Sequence, residues 1–223
     1  MTGPARLRSP EWNGFGQPGA AGLTDLMTSL AVIFVLLLVA FANAPHAAAP
    51  PKRMNEQVGA AQVRGSIQQA MQPGLTLEPD PQDPQVLRVV IPERFLNFDF
   101  GQATLTPSAD QFLAEVMPAF AVAVCGAPRP LIAGIVIEGH TDDLGGDALN
   151  LRLSQERSLQ VLVRGLDAIQ TYVPSAYACF GQLTSASGRG KQDIIYDAEQ
   201  RPNRGLSRRV IFKIFLRPGA APV

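Results

Sequence analysis

Residues 23–42, LTDLMTSLAVIFVLLLVAFA, constrain this chain more than any other stretch. They are twenty residues with one ionisable group, Asp25. At ~1.5 Å rise per residue, a helix of that length crosses the ~30 Å hydrocarbon core of a bilayer. From Leu30 to Ala42 every residue is apolar, so no helical face is left for water. Such a helix is a membrane span or a buried core helix, and nothing else in the chain is large enough to bury it. A signal peptide has a shorter apolar core, ~7–15 residues, with its basic flank close by. Residues 40–42, AFA, could pass for a cleavage site, but Arg6 and Arg8 lie far upstream. A retained span predicts a cytoplasmic N-terminus and places everything after Ala44 outside, although Lys52 and Arg53 weaken the charge asymmetry.

Asp25 is the anomaly. A carboxylate in a span costs ~2.5–3.5 kcal/mol at the centre on insertion scales, and less near an end. Ionisable residues in spans often mark proton or ion routes. Asp25 sits near the start of the apolar run, which also permits a helix cap in the headgroup layer.

With 223 residues, the chain has room for one span and one domain of ordinary size. Lys+Arg and Asp+Glu are both 19, so charge makes no case for nucleic acid. The two histidines and two cysteines form no cluster at metal-ligand spacing. There is no phosphate-binding glycine loop, nucleophile elbow or internal repeat. The expectation is a non-enzyme with no cofactor and no metal.

Residues 1–22, rich in Gly, Pro and Ala around a lone Trp12, read as a cytoplasmic tail, and 23–44 as the span. Residues 45–74 read as a linker. It opens with a proline-stiffened spacer and continues as a weakly amphipathic helix, with Met54, Val58, Ala61, Ile67 and Met71 on its apolar side. That helix suits pairing with a second copy or packing on its own domain. In residues 75–217, strands are predicted at 75–78, 86–91, 131–137, from 183, and at 210–216. Thr106-Pro107 reads as N-cap and first position of a helix whose Phe112, Val116, Phe120 and Val124 recur every four residues, with a kink expected at Pro118. Residues 147–169 form the strongest helix. Apolar strands alternating with amphipathic helices imply an α/β sandwich, helices stacked on one mixed sheet; residues 218–223 are a tail. In that layout Cys125 and Cys179 both follow helices and precede strands at one sheet edge. This brings them within the ~4.4–6.8 Å Cα separation of a disulfide; the alternative is two buried free thiols.

Glu138, His140, Asp142 and Asp143 crowd one end of the strand at 131–137, and Asn150, Ser154 and Arg157 share a face of the next helix. A loop carboxylate converging with a helix guanidinium suits a zwitterionic ligand, the carboxylate taking an ammonium and the arginine a carboxylate. An internal Asp142–Arg157 salt bridge is the competing reading.

GHTD-x₇-N-x₃-S-x₂-R at residues 139–157 resembles the signature of OmpA-like peptidoglycan-binding domains. NRGLSRRV at 203–210 and FDFGQATLT at 98–106 are similar to further parts of that family, so the resemblance covers about residues 86–217. It implies that Asp142 and Arg157 hold the diaminopimelate of the wall's stem peptide, with Asn150, Leu153 and Arg208 at matched positions nearby. Asn203 stands where the family has Gly, and Ser207 where it has Asn, which bears on the geometry around Arg208. Residues 24–28, TDLMT, before an apolar run are similar to the proton-carrying helix of the MotB family. The whole span, the VVIPE strand end and SASGRG at 185–190 resemble its ZorB subfamily from Zorya anti-phage defence. That resemblance implies an inner-membrane, proton-driven motor in which Asp25 carries the ion. A homodimer of this chain would sit in a ring of a MotA-like subunit, ZorA, with the α/β domain in the periplasm. A flagellar-type stator subunit and a static wall tether are the alternatives.

Overall fold

The computed structural model describes residues 20–43, 51–99 and 101–218. The tail with Trp12, most of the proline spacer and the last five residues lie outside them. The chain divides into two compact units, Met1–Ala49 and Pro50–Val223. In the first, α1 (Ala20–Asn43) is a single apolar helix whose side chains from Met27 to Phe41 are all exposed. Asp25 falls within its range, and its side chain lies outside the described ones.

The second unit is one mixed five-stranded sheet with helices packed on it. Its strands are β1 (Thr76–Pro79), β2 (Val86–Pro92), β3 (Ile132–His140), β4 (Thr184–Gly190) and β5 (Arg209–Leu216), in spatial order β1-β2-β5-β3-β4. Only the β3–β4 pair is parallel. Period-two alternation decides the faces. Leu87, Val89 and Ile91 of β2, Ile135 and Ile137 of β3, and Val210, Phe212 and Ile214 of β5 all point into the core. Against them packs α3 (Pro107–Cys125), which is capped by Thr106 accepting from the Ala109 amide at 3.3 Å and has Pro107 in its first turn. The helix continues through Pro118 to Cys125. Met117, Phe120, Ala121 and Val124, all buried beyond or beside the proline, hold its last turns to the sheet.

Of the two arrangements open for the helix after the spacer, α2 (Pro51–Ala70) adopts packing on its own domain: Val63 and Ile67 are fully buried against α3 and the core. Two elements differ from the sequence reading. The long helix α4 (Asp147–Tyr172) is followed at once by α5 (Pro174–Leu183), which carries Cys179. The strand β3 runs on to His140, so Glu138 and His140 stand on the sheet and not in a loop. Cys125 and Cys179 are joined, S–S 2.09 Å and Cα–Cα 6.1 Å, tying the end of α3 to α5.

The close seating of α4 on β3 and β4 depends on glycine. A Cβ at Gly139 would lie 2.4 Å from the Ser154 carbonyl oxygen, and one at Gly188 would lie 2.4 Å from the Gln155 nitrogen. Helix backbone and strand backbone therefore touch where those residues meet.

Candidate functional site

Antiparallel pairing places the start of β5 beside the ends of β2 and β3, with Arg209 opposite both Pro92 and His140. Residues just past those points converge: Glu93 after β2, Asp142 after β3 and Arg208 just before β5. Arg208 lies between the two carboxylates. Its Nε donates to Glu93 Oε1 at 2.6 Å and its Nη1 to Asp142 Oδ2 at 2.7 Å. The bond to Glu93, and then that to Asp142, hold the Arg208 guanidinium above its ordinary value despite partial burial.

Arg157 comes from α4 and is held differently. Its Nε donates to the Gln102 carbonyl at 2.9 Å, and its guanidinium lies 4.9 Å over the Phe98 ring. Among the described residues its two terminal nitrogens make no hydrogen bond. Burial lowers its pKa from the ordinary value, with Glu93 acting against that and Arg208 with it. The loop that supplies both contacts is built by the Phe98–Leu105 bridge, the Asp99 amide on the Thr104 carbonyl at 2.9 Å, and Gly101 at φ +68°, a left-handed position suited to glycine. Thr106 closes it by donating to Asn97.

The pairing differs from the salt bridge considered above. Asp142 pairs with Arg208, and Arg157 is left with no carboxylate in ion-pair range among the described residues. Asp142 Oδ1 accepts from the Leu144 amide at 3.1 Å, and Asn150 Nδ2 donates to the Leu144 carbonyl at 2.6 Å, so Asn150 fixes the loop that aims Asp142. Leu153 is half-buried on α4 and does not line the cleft. Ser154 is fully buried and accepts from the Gly190 amide at 2.8 Å, which makes it a tie between α4 and β4. Asp143 pairs with exposed Arg204 at 2.7 Å.

The resulting cleft is bordered by Glu93, Phe98, His140, Arg157 and Arg208 among others, and encloses about 10 Å³. That is no more than the ~10–15 Å³ that a single water needs, so a larger ligand enters only as side chains part. With Asp142, which bonds Arg208, two carboxylates face the three guanidiniums of Arg157, Arg208 and Arg209, an excess of one positive charge. Such a site can take a group bearing both an ammonium and a carboxylate, the carboxylate on the open fork of Arg157. Glu93 and the Gln102 carbonyl were not singled out from sequence. The VVIPE strand end contained Glu93, but its partner lies 115 residues away.

Residues 97–208, half the chain, match the OmpA family. Among solved structures, a MotB-like protein from Desulfovibrio vulgaris is 24% identical over 74% of this chain and 99% of its own, with a TM-score of 0.51. The periplasmic domain of Helicobacter pylori MotB is 18% identical over 65% of this chain and 80% of its own, TM-score 0.47. The cell wall anchor of the T6SS from Pseudomonas aeruginosa is 20% identical over 71% of this chain and 96% of its own, TM-score 0.42.

Proposed function

The chain belongs to the OmpA family, and on that footing we propose that its second unit binds the peptide stems of peptidoglycan and that the whole chain is a MotB-like, ion-driven motor subunit. The observation that carries the wall-binding reading is Arg157. A half-buried guanidinium is positioned by Phe98 and the Gln102 carbonyl, yet its fork is unused among the described residues. The carboxylate of diaminopimelate takes that fork, and its ammonium approaches Asp142, which keeps lone pairs beyond those engaged by Arg208 and Leu144. Co-sedimentation of the full chain with purified sacculi tests this: Arg157→Ala should stay in the supernatant, and sedimentation equal to wild type would refute it.

The motor reading rests on α1 and Asp25. The exposed apolar surface of α1 supports a single span in the inner membrane, and the Cys125–Cys179 bond supports a periplasmic domain, where disulfides persist. Asp25 carries the ion, a proton on resemblance; each charge crossing 100 mV supplies ~2.3 kcal/mol. Two copies of the chain work inside a ring of a MotA-like subunit, and the wall site holds the assembly still. The likeness of the span to the ZorB subfamily supports anti-phage defence as the task of that motor, with ZorA as the ring. Asp25→Asn should still assemble with the ring subunit and lose phage protection. Full protection by that variant would leave a static tether as the function.

A further inference from the structure

The face of the sheet turned away from the helices carries a second cavity. The alternation that buries Val210, Phe212 and Ile214 in the core sends Arg209, Ile211 and Lys213 to this face, where Arg88, Glu138 and His140 join them. The turn after β1, with Asp80 and Gln82, Arg189 near the end of β4 and Asp193 beyond it wall it in, leaving about 170 Å³. That is room for several waters, and well below the ~300–1,000 Å³ of a drug-sized pocket.

Four permanent cations line it, Arg88, Arg189, Arg209 and Lys213, against three carboxylates, Asp80, Glu138 and Asp193. Lys213 stands 3.1 Å from Glu138 and 3.6 Å from Asp80, Arg189 is 3.8 Å from Asp193, and Arg88 turns to Glu78 at 3.3 Å. Arg209 is left over. It is only 7% exposed, and its terminal nitrogens donate to the carbonyls of Leu206, Ser207 and Asp193. No carboxylate is within ion-pair distance of it among the described residues. The Nε atoms of Arg88, Arg189 and Arg209 are buried without a hydrogen-bond partner; so is Glu138 Oε2, which stands 3.1 Å from the Lys213 ammonium and 3.6 Å from His140 Nε2. A buried donor without an acceptor is costly, most of all on a charged group.

We propose that this cavity binds a small oxyanion of the phosphate class, held by Arg88, Arg189 and Arg209. Three guanidiniums from three strands or strand ends suit a tetrahedral acceptor, whereas a planar carboxylate is satisfied by the fork of one. Burial and the nearby Arg88 both push the Arg209 guanidinium below its ordinary value, and an anion relieves both. The site stands apart from the wall-peptide reading: Arg88 and Arg189 do not border that cleft, while His140 and Arg209 border both.

The full chain in detergent is titrated with inorganic phosphate, glycerol phosphate, acetate and chloride at one ionic strength, with binding followed by calorimetry and phosphorus NMR. Inorganic phosphate should bind saturably, acetate roughly tenfold more weakly or worse, and chloride without saturation. Glycerol phosphate binding as tightly identifies an ester or headgroup as the source, and its exclusion identifies the free ion. The Arg88→Gln/Arg189→Gln variant should lose roughly tenfold or more in phosphate affinity while sedimenting with sacculi like wild type. Absence of saturable phosphate binding by the wild-type chain, acetate binding as tight as phosphate, or an unchanged affinity in the folded double variant overturns the proposal. If the variant does not fold, the wild-type titration decides.

Discussion

Replacing Gly188 by Ala tests the contact that seats α4, and with it Arg157, on the sheet. The added Cβ would stand 2.4 Å from the Gln155 nitrogen, 2.6 Å from Ser154 Oγ and 2.7 Å from Gln155 Cα. Two of these are helix backbone atoms that no rotamer change removes. Reaching ordinary contact at 3.4 Å requires α4 to lift by 1.0 Å, the difference between 3.4 and 2.4 Å. That strains the Gly190 amide bond to Ser154 Oγ at 2.8 Å and the Gly188 amide bond to Gln155 Oε1 at 2.7 Å. Overpacking at ~1–3 kcal/mol with two hydrogen bonds at ~0.5–1.5 kcal/mol each centres on ~4 kcal/mol. At ~2–4 °C per kcal/mol for a domain of this size, Tm falls by ~8–16 °C. Thermal unfolding of the full chain by circular dichroism reads this directly. Gly65→Ala is the control: its Cβ meets nothing within 4 Å, and the change should be neutral or stabilising by up to ~1 kcal/mol in a helix interior. A Gly188→Ala melting point within ~2 °C of wild type would refute the backbone-to-backbone seating of α4.

Replacing both Cys125 and Cys179 by Ala should cost on the order of 4 kcal/mol by the chain-entropy estimate for a 54-residue loop. The urea midpoint of the variant should fall to that of the reduced wild type, and equal midpoints for oxidised wild type and variant would contradict it. For Glu138, burial raises the pKa, but His140 and Lys213 outweigh it and leave the carboxyl below its ordinary 4.5. A depressed folded value means the stabilisation is present above pH 4.5 and is lost as the pH falls through that lower value. Urea midpoints should therefore drop less steeply below pH 4.5 in Glu138→Gln than in wild type; parallel slopes would rule out the pairing.

The parts of the fold that were legible in the sequence carry a local pattern. VIFKIFL is rich in β-branched and aromatic residues, Thr106-Pro107 is a cap, and Phe112 to Val124 repeat every four residues, so β5 and α3 could be placed from residue types alone. The strand β4, TSASGRG, has no apolar alternation because its glycines serve to admit the backbone of α4. The helix α5 is ten residues with a glycine near its end, too short for periodicity to separate from a loop. Among the described side chains of α2, Val63 and Ile67 are the large apolar ones that are fully buried, so most of that stretch looks like a solvated linker. At the site, the motif singled out Asp142, Arg157 and Arg208. It could not give their pairing, because β-sheet register, not helix spacing, puts Arg208 beside Asp142. Nor does any residue type encode a backbone acceptor such as the Gln102 carbonyl.

Wall recognition is tested most directly by titrating the full chain with a soluble stem peptide that ends in diaminopimelate. The wild-type chain should bind saturably. Arg157→Ala should lose ~2–5 kcal/mol, or roughly thirtyfold and upward in Kd. Arg157→Lys should not restore binding, because an ammonium lacks the planar fork that takes a carboxylate in two bonds. A peptide with Lys in place of diaminopimelate, and so without the side-chain carboxylate, should bind the wild-type chain as weakly as the full peptide binds Arg157→Ala. Equal affinity of wild type and Arg157→Ala for the diaminopimelate peptide would reduce Arg157 to a packing partner of Phe98 and contradict the wall-binding function.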